Sequence, residues 1–214
     1  MAAEVDWRTK GVVNPIQDQA ACGSCWAFSS TAAMEGSHAI QTGKLLKLAE
    51  QQLVDCDKKS SGCNGGLEVW AFKYAQKKAM ELEKNYPYKG RDGRCKEDGS
   101  GVVSVKSFKR VPSEKVSALK AAVAKQPTCV AVCASGRQFS FYSGGIMNDR
   151  SCCTDLDHAV TAVGYGNEKG HEYLIVRNSW TTSWGEKGYF RIAIDKDGKG
   201  ICGILQDSSY PTTN

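Results

Sequence analysis

From Cys25 to Ile40 the chain carries no proline and a single formal charge, Glu35, in a run rich in Ala, Ser, Trp, Phe and Met. A segment of that length without breakers reads as a helix, and a helix so apolar is buried, so the rest of the chain has to wrap around it. Ser24 stands where an N-cap belongs and Gly23 suits a tight entry, which puts the Cys25 thiol in the first turn. There it meets the positive end of the helix dipole and amide N–H groups that lack intrahelical partners, both of which favour thiolate. Cys22 and Cys25 are also spaced as a disulfide or metal position would be, so this stretch alone leaves nucleophile and structural cysteine open.

At 214 residues and 41% hydrophobic, the chain is one large domain or two small, closely joined ones. The net charge of +5 comes from cations scattered along the sequence, which reads as solvated surface and speaks against a nucleic-acid partner. Ten cysteines point to a disulfide framework made in an oxidising compartment, hence a secreted or lysosomal/vacuolar protein. Met1-Ala2-Ala3-Glu4 lacks the basic and apolar regions of a leader, and no span is long enough to cross a bilayer. Met1 therefore reads as an initiator placed on a mature domain. No Asn-x-Ser/Thr sequon is present.

Further helices are expected over Leu48–Cys56, Leu67–Lys78 and Ser113–Lys125, with Gly62-Cys63-Asn64-Gly65-Gly66 as a tight loop. Strands are expected over Cys129–Ala134, His158–Tyr165, Tyr173–Asn178 and Tyr189–Ile194, after alternation that begins near Val102. A helical half followed by a strand-rich half predicts an α+β protein of two lobes with its chemistry in the cleft between them.

A nucleophilic Cys25 needs a base, and there are three histidines. His38 lies far down the same helix, and His171 sits in a polar turn. His158 opens an apolar strand of the opposite half, and Asn178-Ser179-Trp180 ends the next one. An Asn carbonyl can accept from one imidazole nitrogen and leave the other for a thiol, under the shelter of an indole. Cys22-Gly23-Ser24-Cys25-Trp26, with His and Asn about 130–150 residues downstream, is the signature of the papain and cathepsin enzymes. The chain closely resembles the papain family of cysteine proteases from Asp6-Trp7-Arg8 to Tyr210-Pro211. Gln19–Phe28, Gly62–Gly66, Asp157–Val160, Gly164-Tyr165-Gly166, Asn178–Trp180 and Trp184–Tyr189 carry the likeness.

The resemblance implies one peptidase domain over 1–214. Its helical lobe, approximately 10–110, is built on the central helix; its antiparallel β-barrel lobe covers approximately 111–207, and the termini cross between lobes. It implies Cys25 as nucleophile, His158 as acid/base, Asn178 as orienter of the imidazole, Trp180 as its lid and Gln19 as an oxyanion donor. A thiolate–imidazolium pair would bring the thiol from about 8.5 to the value of about 3–4 known for papain itself. Substrate would lie along Gly65, Gly66, Asp157 and Trp184. The pocket for the second residue on the acyl side, P2, would be walled by Leu67, Glu68, Ala131, Leu156 and Ala159 with Asp207 at its floor, accepting hydrophobic and also basic side chains. No histidine-bearing insertion interrupts the cleft, which favours an endopeptidase. Polypeptide substrates, a propeptide, and cystatin-like or epoxide inhibitors are the implied partners; no cofactor or metal is required, and a monomer is expected.

The family pairs Cys22 with Cys63, Cys56 with Cys95, and Cys152, in an uncertain register against Cys153, with Cys202. Each bridge adds about 4 kcal/mol on the chain-entropy estimate. Cys129, Cys133 and the spare vicinal cysteine are then expected as buried free thiols, with a Cys133 bridge to the vicinal pair the weaker alternative. Ala20 and Thr181 stand where the family usually has Gly, and Ala49 where Ser is common; modest rate effects are expected if the first two sites need positive φ. Three rival readings fare worse. A thioredoxin-like Cys22–Cys25 redox pair leaves His158 and Asn178 without a task, a zinc site lacks ligand spacing, and a dead homologue would not keep all four site residues.

Overall fold

The computed structural model describes residues 2–214, so Met1, with the initiator reading attached to it, lies outside them. In chain order the elements are β1 (Val5–Asp6), α1 (Cys25–Thr42), α2 (Glu50–Cys56), α3 (Glu68–Lys77), β2 (Val105–Arg110), α4 (Val116–Val123) and β3 (Thr128–Val132). There follow α5 (Arg137–Ser140), β4 (Ile146–Met147), β5 (His158–Glu168), β6 (His171–Arg177), β7 (Tyr189–Ala193) and β8 (Ser208–Thr213).

α1 begins at Cys25 as its sequence dictates and stops at Gly43, whose φ of 73° lets its N–H reach back to the Ala39 carbonyl. Ser24 does occupy the N-cap, but its hydroxyl caps nothing: it sits 2.6 Å from the Tyr88 hydroxyl. Two apolar cores flank this helix. Trp26, Met34, Leu53, Phe72, Met80 and their neighbours fill the helical side. Val130, Phe139, Val160, Leu174, Phe190 and Ile204 belong to the other.

The strands form one sheet in the order β2-β8-β3-β5-β6-β7-β4, with β1 added to β5. Its end strands are not paired with each other among the described residues, so the β lobe is an open sheet in hydrogen-bonding terms, and β4 runs parallel to β7. β8 has no counterpart in the strand signals of the sequence. Ser208-Ser209-Tyr210-Pro211-Thr212-Thr213 is too polar to alternate, yet it pairs with both β2 and β3.

Cys22–Cys63, Cys56–Cys95 and Cys152–Cys202 are bonded. A fourth bridge, Cys133–Cys153, corrects the expectation that these two are free thiols. The chain between them doubles back through α5, so the end of β3 returns to the vicinal pair, whose two sulfurs serve different partners. Among the described residues, only Cys25 and Cys129 are unbonded cysteines. Unfolding without reductant should expose two reactive thiols; four would mean that the Cys133–Cys153 bridge is absent.

Candidate active site

Ser29, one turn past Cys25 on the same side of α1, donates a 2.8 Å hydrogen bond to the Val160 carbonyl of β5, and both residues are buried. That bond ties the start of α1 to the strand that His158 opens. The backbone amide of Ala159 favours the Cys25 thiolate, so the start of β5, next to His158, lies beside the thiol.

His158 is buried, and its Nε2 lies 2.7 Å from Asn178 Oδ1. The Ser179 backbone N–H donates to the same oxygen at 2.8 Å, which fixes the amide orientation: Oδ1 accepts, so Nε2 carries the proton. Nδ1 is left for the thiol side. The Trp180 ring stacks on the imidazole with centroids 4.7 Å apart, and Phe139 meets both rings edge-on. His38 contacts the Asn214 carbonyl and His171 faces Asp195, so neither joins the site.

Gln19 is held on three sides. Its Nε2 donates to the Cys22 carbonyl at 2.9 Å, its Oε1 accepts from the Ser179 hydroxyl at 2.7 Å, and its carbonyl accepts from Tyr88 at 2.7 Å. A primary amide has two N–H donors, so one remains for a further acceptor. Backbone bonds from Gln19 N to Ser179 O (2.9 Å) and from Thr181 N to Gln17 O (3.1 Å) lace the Gln19 segment to the Asn178 segment. Buried Arg177 adds a bond to the Pro15 carbonyl at 2.7 Å. The Gln19 segment and the Asn178–Thr181 segment are therefore joined by one ladder of hydrogen bonds.

Electrostatics depart from the expected low thiol pKa. Burial pushes the Cys25 thiol up, and the charges of Glu68 and Asp157 push the same way, against the amides of Ala159 and Trp26. Burial also lowers His158, opposed by its Asn178 bond and the Asp157 carboxylate. Each group alone is thus held neutral by the enclosing lobes, an effect that no local sequence pattern contains.

The sequence of residues 1–212 matches the family described as Papain family cysteine protease. The chain belongs to that family. It is 53% identical over 215 residues to Germination-specific cysteine protease 1 of Arabidopsis thaliana, covering 97% of this chain and 56% of that protein. It thus spans little more than half of that relative. The structure of the bromelain protease from Ananas comosus in complex with the E64 inhibitor is 43% identical, with 99% of both chains covered and a TM-score of 0.95. The Amb a 11 cysteine protease, a ragweed pollen allergen, in its proform is 42% identical with a TM-score of 0.95, covering all of this chain and 66% of that one.

Against this papain-family frame, the two departures from Gly sit where they matter for the backbone: Ala20 has φ 53° and Thr181 φ 66°. Left-handed backbone costs a residue with a Cβ about 1–2 kcal/mol, and glycine gives back about 0.5–1 through its freer unfolded chain. Ala20→Gly and Thr181→Gly should each raise stability by about 0.5–1 kcal/mol in denaturant titrations, with turnover within about twofold.

The cleft walls are arranged as follows. Gly65 has φ 111°, a backbone that favours glycine, and a Cβ on Gly66 would lie 2.6 Å from the Trp26 ring and the Ser60 hydroxyl. Leu67 and Leu156 are exposed, Ala131, Ala159 and Glu68 half-buried. Asp157 fixes the loop before His158 by accepting from the Ala134 amide at 2.7 Å. Trp184 packs on Phe139 and Tyr142. Asp207 keeps its backbone bonded to Ala131 N while its carboxylate meets Arg110 at 3.1 Å. Ser29, Tyr88, Phe139 and Ser179 have no assigned role in the sequence reading; only Ser179 lay inside a motif, as the middle of Asn178-Ser179-Trp180.

Proposed function

We propose that the chain is a cysteine endopeptidase, one peptidase domain whose two lobes supply nucleophile and base. The observation that carries this is the His158 Nε2–Asn178 Oδ1 bond beneath Trp180, which leaves Nδ1 to the first turn of α1 where Cys25 stands. Burial opposes either charge alone, but the two form together: at a contact distance of about 4 Å and an effective dielectric of about 20 their attraction is about 4 kcal/mol. The helix N-terminus and the Ala159 amide favour the thiolate further.

The sulfur attacks the peptide carbonyl carbon as the C=O pair moves onto oxygen, where the second N–H of Gln19 and the Cys25 backbone N–H would receive it. Imidazolium passes its proton to the leaving nitrogen, the C–N bond breaks, and an acyl-enzyme remains. Water then gives a proton to His158 as its oxygen attacks the acyl carbon; the C–S bond breaks, the carboxylic acid leaves and the thiolate–imidazolium pair is restored. No metal or organic cofactor enters this chemistry. Polypeptides are the substrates, and a propeptide and epoxide or cystatin-like inhibitors occupy the same cleft. Among the described residues no helix is long and apolar enough to cross a membrane; the cysteine content fits secretion or a lysosomal/vacuolar compartment, and the protein acts as a monomer without nucleic acid.

Apolar P2 side chains suit Leu67, Leu156, Ala131 and Ala159, and basic ones suit Asp207 and Glu68. Burial and the charge of Asp207 push Glu68 up to about 7, while Arg110 pulls it down. Glu68 gains its negative charge as pH rises through that value. The ratio of kcat/KM for a P2-Arg peptide to that for its P2-Leu analogue should therefore rise between pH 6 and 8. Asp207→Ala should lower that ratio; an unchanged ratio would remove the carboxylate from the pocket.

A further inference from the structure

Asp207 is not a free carboxylate. Arg110 is the last residue of β2, Asp207 immediately precedes β8, and these strands are antiparallel neighbours with Arg110 opposite Ser209. The register brings Arg110 Nη1 to 3.1 Å from Asp207 Oδ1, with both side chains about half exposed at 57% and 42%. The Asp207 carbonyl, bonded to Ala131 N, anchors the acidic side from β3. Glu68, in the first turn of α3, lies near enough to feel both charges: Asp207 raises its pKa and Arg110 lowers it. One cation is thus already seated on Asp207, with a second carboxyl, Glu68, within reach of both charges.

We propose that Arg110 is a specificity-positioning residue: by occupying Asp207 it biases the P2 pocket toward apolar side chains. This rests on the assignment of Asp207 to that pocket. A Leu side chain leaves the ion pair undisturbed and takes only the apolar walls. An incoming Arg or Lys must displace Arg110, or crowd a second cation onto the same carboxylate. Exposed ion pairs contribute about 0.2–1 kcal/mol, so the bias is up to about fivefold.

The test compares kcat/KM for paired P2-Arg and P2-Leu peptides in the wild type, Arg110→Gln, Arg110→Lys, Asp207→Ala and the Arg110→Gln/Asp207→Ala double variant. Arg110→Gln should raise the Arg/Leu ratio about three- to fivefold, through KM for the P2-Arg peptide, with the P2-Leu peptide within about twofold. Arg110→Lys should restore the wild-type ratio, and the rise should vanish in the Asp207→Ala background. An unchanged ratio in Arg110→Gln, while Asp207→Ala lowers it, overturns the clamp and leaves the pocket assignment standing. An equal rise in both backgrounds also overturns it, since Arg110 would then act as a free like charge. If Asp207→Ala itself changes nothing, the pocket assignment falls and the clamp with it.

Discussion

Replacing Cys25 by alanine is expected to lower kcat for peptide hydrolysis by about 10⁵–10⁶, with the fold retained. Cys25 is in no disulfide and only half buried, so the substitution opens no large cavity and breaks no bridge. His158→Ala should cost nearly as much. The Cys25→Ala/His158→Ala double variant should be no worse than either single one, because nucleophile and base act as one unit and their effects do not add. Stopped assays on a fluorogenic P2-Leu peptide, alongside thermal unfolding of each variant, check this. A Cys25→Ala protein that kept more than about one hundredth of the activity would exclude the thiol as nucleophile.

Gln19→Ala is the second large effect. The amide is held at both ends, by its bond to the Cys22 carbonyl and the one from the Ser179 hydroxyl, so as the proposed oxyanion donor it would be in place before charge develops on the substrate oxygen. Losing such a preorganised donor costs about 10²–10³ in kcat with little change in KM. A rise in KM with kcat intact would make Gln19 a ground-state contact instead.

The central helix was legible because every determinant is local: a breaker-free apolar run, and a glycine at each end. Gly23 is demanded even more firmly than its turn suggests, since a Cβ there would lie 2.4 Å from the Cys63 carbonyl. His158 and Asn178 were legible as residues at neighbouring strand ends, and the resemblance supplied their roles. What escaped depends on chain segments meeting from far away. Ser179 reaches Gln19, Tyr88 reaches both Gln19 and Ser24, and Arg110 reaches Asp207 only through the β2–β8 register. β8 is silent in sequence because its pairing rests on backbone bonds to two neighbours and not on an apolar face of its own. Cys133 finds Cys153 because the intervening chain folds back through Phe139, whose ring is fully buried among Trp180, Trp184 and Phe190. The direction of the thiol's shift has the same origin: burial and the carboxylates of Glu68 and Asp157, all brought to Cys25 by distant parts of the chain, push it up.

The most direct measurement is the pH dependence of alkylation by a neutral thiol trap, with the modified residue located by mass spectrometry. A thiolate paired with His158 predicts stoichiometric labelling of Cys25 at pH 5–6, at a rate that His158→Ala abolishes, and loss of peptide hydrolysis in step with the label. Labelling that instead rises only near the ordinary thiol value of about 8.5, and is indifferent to His158, would contradict the ion pair.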